Sequence, residues 1–295
     1  MDWGENMDSV KCEAFLTAVD HGSLTAAGEL LGYTQPGITR MIHSLEEELG
    51  FPLLVRSSKG VVPTANGRTM IPLFREIVRT QKNVEEAGSE IRGILRGVLT
   101  VGSYYSVSAM LLPAVLKRFG HDYPNVRVKL REGGNQEMSQ WLTEKSVDCC
   151  FAAKPSENTA CDWIPLQEDE LVAWLPHDHP RAADTAFPVA ALDGEPFIIT
   201  MPDQDTDIDR LLAKHGVKPD FRLSTADAFT TYCMVEAGLG VSFNQRLIFQ
   251  KWKGSVVALP FDPPQYVTLG IAVPSLREAS PATKKFIDYV RTNIA

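Results

Sequence analysis

The sequence predicts an N-terminal all-α winged helix-turn-helix, prolonged by a long linker helix, and a C-terminal α/β domain. Three observations predict it. Residues 23–31 and 33–46 read as two short helices joined by a turn containing Gly32. Apolar residues then recur at helical spacing from Thr64 to about Gly93. From Val98 onward, short apolar strands alternate with helical patterns, which implies a parallel sheet covered on both faces.

The elements follow in order. Residues 8–21 form the first helix, with Val10, Phe15, Leu16 and Val19 on its core side and His21-Gly22 at its end. Phe15 and Val19 are expected to pack on Leu31 and Ile38. A histidine at a helix end is ordinarily structural, since it complements the helix dipole. Ser23 caps the second helix, and Ala26 and Ala27 let a neighbour approach closely. Thr34 caps the third helix, and Pro36 falls in its first turn, where a missing N–H costs nothing. Ile38, Ile42, Leu45 and Leu49 make its apolar stripe. Gln35, Pro36, Thr39 and Arg40 point away from that stripe. An amide, a hydroxyl and a guanidinium there suit the base edges and phosphates of a DNA major groove. The same pattern fits an ordinary amphipathic helix with a polar face. The short helix and Gly-containing turn before it favour the DNA reading.

After Leu49-Gly50, residues 53–56 and 60–62 read as two short strands around the tip Ser57-Ser58-Lys59, the wing of a winged helix-turn-helix. Arg56 and Lys59 are placed to reach phosphate or the adjacent minor groove; a solvated hairpin tip is the plainer reading. The long helix that follows spans roughly 40 Å at 1.5 Å per residue. So small a unit offers it no obvious partner, so its apolar side is expected to pair between subunits. Pro72 lies inside it and is a candidate kink. Residues 34–82 carry seven basic and four acidic side chains, an excess of +3 in a chain of net charge −8. Positive charge is therefore local to this unit, while the whole chain is unsuited to indiscriminate nucleic-acid binding.

Ala26-Ala27, Leu31, the run Thr34-Gln35-Pro36-Gly37-Ile38-Thr39-Arg40, Leu45-Glu46 and Leu49-Gly50 resemble the LysR-type transcriptional regulators. The likeness continues through Pro52-Leu53-Leu54-Val55-Arg56 and Pro63-Thr64-Ala65-Asn66-Gly67. Gly28 departs from the family's usual Ala, and Val55 and Pro63 replace a common acidic residue and a common Leu. The resemblance implies a DNA-binding domain over residues 1–66, with Thr34, Gln35, Pro36, Thr39, Arg40, Arg56 and Lys59 meeting DNA. It also implies a dimerising linker helix over 67–93 and an effector-binding domain over 94–295. That domain would resemble periplasmic binding proteins, with lobe I at about 94–164 and 266–295 and lobe II at about 165–265. Leu112-Pro113, Tyr123-Pro124 and Glu236-Ala237-Gly238-Leu239-Gly240 carry the likeness in this half. Ser242-Phe243-Asn244-Gln245 departs from the family's apolar-then-Pro ending. The implied partners are operator DNA, a small-molecule effector, further copies of the chain as a dimer or tetramer, and RNA polymerase if the protein is an activator.

Within the α/β half, residues 98–102, 126–130, 147–152, 171–175, 197–200, 221–223, 240–243 and 267–273 read as strands. Residues 108–119, 136–144, 207–215, 228–237 and 281–293 read as helices. Ligands in such folds bind beyond the carboxyl ends of strands and at helix starts. Those places are Ser103, Tyr104, Tyr105 and Ser106 in the first lobe, and Thr200 and Asp203 in the second, with Asp227 on a third wall. The hydroxyls could equally be helix caps alone. Hydroxyls at helix starts favour a small carboxylate, two tyrosines allow a ring to stack, and Asp203 and Asp205 favour an effector that also carries an amine.

Other chemistries fit poorly. Asp203 to Asp209 hints at a calcium loop but has Ile208 where the sixth-position Gly belongs and Lys214 at the twelfth. His177-Asp178-His179 sits in a Pro-flanked loop without a ligand set. No phosphate-binding, zincin or nucleophile-elbow motif is present, and no cofactor is expected. Five scattered cysteines fit reduced thiols, with Cys149-Cys150 as strand core. No apolar run approaches the roughly 18 residues of a membrane span, and the polar N-terminus lacks a signal peptide, so a cytoplasmic location is expected. Two rivals stand beside the regulator: a transporter's solute-binding protein, and an enzyme working between the lobes.

Overall fold

A computed structural model describes residues 8–57, 60–202, 205–250 and 252–294. The first half opens with α1 (Ser9–His21), α2 (Leu24–Leu31) and α3 (Gln35–Leu49), then β1 (Leu54–Ser57) and β2 (Gly60–Pro63), then α4 (Ala65–Ile91). The expected caps are in place. Ser23 Oγ accepts from Ala26 N–H at 3.2 Å, Thr34 Oγ1 from Gly37 N–H at 3.2 Å, and Thr64 Oγ1 from Gly67 N–H at 2.9 Å. Each such cap stabilises its helix by about 1 kcal/mol. Phe15, Ile38, Ile42, Leu45, Ile71 and Phe74 share one buried core, and Val19 and Leu31 pack on it. Phe15 and Phe74 meet edge to face at 5.4 Å, fixing α1 against α4.

Local chemistry explains several fixed positions. A Cβ on Gly28 would stand 2.7 Å from the Tyr33 carbonyl oxygen, so glycine there lets the turn fold tightly onto α2. A Cβ on Gly67 would stand 2.2 Å from the Leu53 carbonyl oxygen, where the wing crosses the start of α4. Glu46 Oε1 accepts from the N–H groups of Leu53 (2.7 Å) and Leu54 (3.1 Å), tying the reading helix to the wing. Helix α4 passes through Pro72 as one helix.

The second half comprises β3 (Gly97–Ser103), α5 (Tyr105–Met110), α6 (Leu112–Asp122), β4 (Val126–Glu132), α7 (Asn135–Thr143), β5 (Cys149–Ala153) and β6 (Asp162–Leu175). It continues with β7 (Phe187–Pro188), a 3-10 turn (Val189–Leu192), β8 (Pro196–Thr200), α8 (Asp207–His215), β9 (Asp220–Thr225), α9 (Ala228–Glu236), β10 (Ser242–Gln245) and α10 (Arg246–Phe249). Strands β11 (Val257–Asp262) and β12 (Tyr266–Val273) and helix α11 (Pro281–Ile294) complete it.

The sheet is mixed, not parallel as expected. Its order is β4-β3-β5-β12-β6-β11-β7, with β10 also on β6. Strand β3 runs parallel to β4 and β5, but β12 is antiparallel to both β5 and β6. The cause is the pair of long passes between the two lobes. Strand β6 pairs with β12 from Asp162 to Glu170 and then with β10 and β11 from Leu171 to Leu175. One 14-residue strand therefore belongs to both lobes. Its first half is hard to read because Pro165 interrupts the strand pattern; the register shift between Leu269 and Gly270 accommodates it. The expected helix over 108–119 is two helices. Pro113 cannot donate to the carbonyl four residues back, so the chain restarts a helix with Pro113 in its first turn.

Separate apolar cores fill the two lobes. Leu99, Val101, Val115, Phe119, Ile271 and Phe286 centre the first; Leu171, Phe187, Phe197, Leu211, Phe243 and Phe261 centre the second. Helix α4 is fastened to the first lobe by ions. Arg79 binds Glu76 (2.8 Å) and Glu278 (2.9 Å), Lys145 binds Glu76, and Asn83 donates to the Glu278 carbonyl at 2.9 Å. Among the described residues, no helix is long and apolar enough to cross a membrane.

Candidate functional site

The structure offers two places for chemistry: the exposed start of α3 with the wing, and a cleft between the lobes. At the first, Thr34, Gln35, Pro36 and Arg40 are exposed and Thr39 is half-buried, while Ile38, Ile42 and Leu45 are fully buried beneath them. Gln35 Nε2 donates to Thr39 Oγ1 at 3.1 Å, so amide and hydroxyl are held together on one turn. Lys11 holds the far end of α3 through Glu48 at 2.5 Å and Ser44 at 3.0 Å. Arg56 is exposed on β1, whose partner β2 closes the wing. Lys59 lies outside the described residues. The arrangement is a rigid helix end with polar groups and a cation, flanked by a second cation on a hairpin.

The cleft encloses about 410 Å³. Of the residues expected there, Tyr104, Tyr105, Ser106, Thr200 and Asp227 line it. Ser103 does not. It is fully buried and its hydroxyl donates to the Tyr104 carbonyl at 3.0 Å, because the strand alternation turns it inward one residue before the cleft begins. Asp203 lies outside the described residues. The expected turn over 103–106 is shorter, since α5 already starts at Tyr105.

Two hydrogen-bond chains cross the cleft. Ser106 Oγ donates to Gln245 Oε1 at 2.9 Å, and Gln245 Nε2 donates to Asp207 Oδ2 at 3.0 Å. Tyr104 donates to Asn135 Oδ1, and Asn135 Nδ2 donates to the Asp205 carbonyl. Each joins lobe I to lobe II. Burial pushes the Asp207 carboxyl up from its ordinary range and the Tyr104 phenol likewise. Thr200 and Thr231 share a 2.6 Å hydrogen bond, and Asp227 caps α9 by accepting from Thr230 N–H at 2.7 Å.

The sequence did not single out Asn135, Asn244 or Gln245, and it marked Asp207 only as part of an acidic helix start. The signal for two of them was present. Asn244 and Gln245 belong to the run that departs from the resembled family, and the departure falls in the cleft wall. Four carboxylates line the cleft: Glu132, Glu137, Asp207 and Asp227. Among the described lining residues there is no Lys, Arg or His. That balance weighs against the carboxylate effector expected from the sequence, because such an anion would meet like charge in a partly dehydrated space.

Asp169 sits on β6 where the strand passes between lobes, and its carboxylate accepts from Leu247 N–H at 3.2 Å. Burial outweighs that bond and the nearby Arg246 charge, raising its pKa from 3.8 to about 6. Protonated Asp169 thus favours the folded state. The contribution is full below pH 3.8 and is lost as pH rises through about 6. Asp169→Asn keeps an acceptor for Leu247 and removes the charge. It is expected to raise stability at pH 7.5 by up to about 3 kcal/mol and to change little at pH 4. Urea unfolding at both pH values checks this; an equal effect at both would refute it.

Comparison with known proteins identifies both halves of the chain. Residues 11–68 match the family model described as a bacterial regulatory helix-turn-helix protein of the lysR family, and residues 92–295 match the LysR substrate binding domain. An uncharacterized HTH-type transcriptional regulator, YvbU of Bacillus subtilis, is 27% identical over 288 residues, covering 97% of this chain and 98% of its own. A probable hydrogen peroxide-inducible genes activator of Mycobacterium leprae is 28% identical over 235 residues, 78% of this chain and 75% of its own. A full-length OxyR variant from Pseudomonas aeruginosa shares the fold, with a TM-score of 0.78 at 20% identity over 98% of this chain and 95% of that one.

Proposed function

The chain belongs to the LysR family of DNA-binding transcriptional regulators, and on that premise we propose that it reads a two-part operator under the control of a small molecule held in the interlobe cleft. The observation that carries the proposal is the start of α3. There Gln35, Thr39 and Arg40 stand on a helix end that three buried side chains hold rigid. On this reading Gln35 and Arg40 meet base edges, Thr39 and Pro36 line the groove, and Thr34, Arg56 and Lys59 hold phosphates. On the same reading the DNA-binding domain takes residues 1–66, the linker segment built on α4 takes 67–93, and the effector domain takes 94–295.

Self-association rests on α4. Leu73, Ile77, Val84 and Ile91 are exposed, the last at 87%, and follow one another at four, seven and seven residues. That row is a coiled-coil seam without a partner in the monomer. Two copies joined along it present two reading helices to two half-sites, and tetramers follow from pairing of dimers. Cytoplasmic DNA is the target, with RNA polymerase as a further partner if the protein activates. The cleft is read as binding its ligand without turning it over, as in the regulators this chain resembles; the Ser106 hydroxyl is committed to Gln245.

Selection from a random duplex library tests the reading. An interrupted palindrome with half-sites about one or two helical turns apart is expected. No enrichment, or enrichment of a single unpaired half-site, would contradict it.

The Mycobacterium relative is named for peroxide. Four of this chain's five thiols do not suit that chemistry, since peroxide attacks thiolates; the fifth, Cys233, is exposed on α9. Burial pushes Cys150 up to about 12 and Cys12 to about 11, and raises Cys149 and Cys161 as well. Peroxide treatment is therefore expected to leave operator affinity within about twofold. A tenfold change that dithiothreitol reverses would install a thiol sensor instead.

A further inference from the structure

We propose that the effector held in the interlobe cleft is a small organic cation carrying a primary amine or guanidinium beside an apolar or aromatic body. The inference rests on the cleft being the effector site and names the chemistry it selects. Its basis is the composition of the wall. Glu132, Glu137, Asp207 and Asp227 face the cavity from both lobes, and no described lining residue is cationic.

At three of the helix starts around the cleft, those of α7, α8 and α9, the chain's own carboxylates already sit; the start of α5 carries no side-chain cap. Asp227 accepts from Thr230 N–H at 2.7 Å, Glu137 from Gly134 N–H at 3.0 Å, and Asp209 from Thr206 N–H at 2.9 Å. Arg210, one turn along α8 from Asp207, is likewise committed. Arg210 is held by both oxygens of Asp205, at 2.9 and 2.6 Å. An incoming carboxylate would find no cationic side chain among the described lining residues. An incoming ammonium would find Asp207, whose Oδ2 already accepts from Gln245 Nε2 and whose carboxylate keeps further lone pairs to offer.

A second feature points the same way. Tyr104, Tyr105 and Phe243 line the same cavity, and aromatic faces attract cations and pack apolar bodies. The two hydrogen-bond chains across the cleft, through Gln245 and through Asn135, give such a ligand groups to engage on both lobes at once. Binding an amine at Asp207 would reinforce the Asp207–Gln245–Ser106 chain and so favour the closed pair of lobes.

The test uses the full chain and matched probes: 3-phenylpropylamine against 3-phenylpropionate, and 1,5-diaminopentane against glutarate, each titrated by calorimetry. The expected result is saturable binding of an amine at least tenfold tighter than its matched carboxylate. Asp207→Asn should weaken it at least tenfold. Asp227→Asn, which retains the helix cap because Asn caps as well as Asp, and Glu132→Gln on the exposed rim should each weaken it severalfold, so the test does not depend on one buried substitution. If the carboxylates bind and the amines do not, the amine assignment falls while the cleft stands as the effector site. If amines bind unaffected by all three substitutions, they bind elsewhere and the assignment falls. If neither series binds, the amine assignment falls together with the cleft as receptor.

Discussion

Arg40→Ala is expected to lower operator affinity by a hundredfold or more while leaving the oligomer and the effector domain intact. The side chain is exposed on the second turn of α3, and among the described residues it makes no hydrogen bond or ion pair. Its removal therefore disturbs nothing in the fold. A good arginine contact to a base edge contributes about 1–3 kcal/mol of discrimination, and a dimer on two half-sites loses it twice. Fluorescence anisotropy on the selected duplex reads the affinity, and sedimentation of the same sample reads the oligomer. Unchanged affinity would remove α3 as the reading element. Loss of both affinity and assembly would mean that Arg40 has a structural role the geometry does not show.

The second large effect is expected from Ile77→Asp with Val84→Asp. Both positions are exposed on α4, at 36% and 68%, one heptad apart along the row that begins at Leu73 and ends at Ile91. The opposite face of the helix packs on α1 through Ile71 and Phe74, so the monomer's own core is untouched. Four carboxylates would then face one another across the seam of a dimer, and like charges at such contacts are strongly unfavourable. Equilibrium sedimentation should show monomer at concentrations where the parent chain is dimeric or larger. Operator affinity should fall by about a thousandfold, since two linked half-site contacts become two separate ones. A persistent dimer would move the primary interface elsewhere, with β9, which pairs in parallel with β8 in a separate two-stranded sheet and exposes Phe221 and Leu223, as the next face to test.

The N-terminal half was legible because its signals are local. Ser23, Thr34 and Thr64 each cap a helix within three residues of themselves, and Ile38, Ile42 and Leu45 repeat at one helical spacing. The wing could be read from two short apolar runs around a polar tip. The α/β half was legible as elements but not as a sheet. The antiparallel passes β6 and β12 are a property of chain direction in space, and Pro165 hid the first half of β6.

The cleft was half legible for a related reason. Tyr104, Ser106, Thr200 and Asp227 stand at element ends, where sequence reasoning looks for ligands. Asn135 reaches Tyr104 across 31 residues within lobe I, while Gln245 meets Ser106 across 139 residues between the lobes and holds Asp207 across 38. Ser103 was placed in the cleft by proximity in sequence, yet strand alternation sends it into the core. The charge balance of the cavity is the least local property of all. Glu132, Glu137, Asp207 and Asp227 come from two lobes, so a sequence reading sees two hydroxyl-bearing helix starts and expects an anion.

The central claim is that this chain recognises DNA sequence through α3 and the wing. It is tested most directly by a salt titration of binding to the selected duplex against a scrambled duplex of equal composition. Phosphate contacts release counterions, so affinity for the selected duplex should fall steeply as salt rises, by about a thousandfold between 50 and 200 mM for six or more contacts. The selected duplex should remain at least about a thousandfold tighter than the scrambled one at physiological salt. Equal, weak binding to both duplexes, with a shallow salt dependence, would contradict the claim.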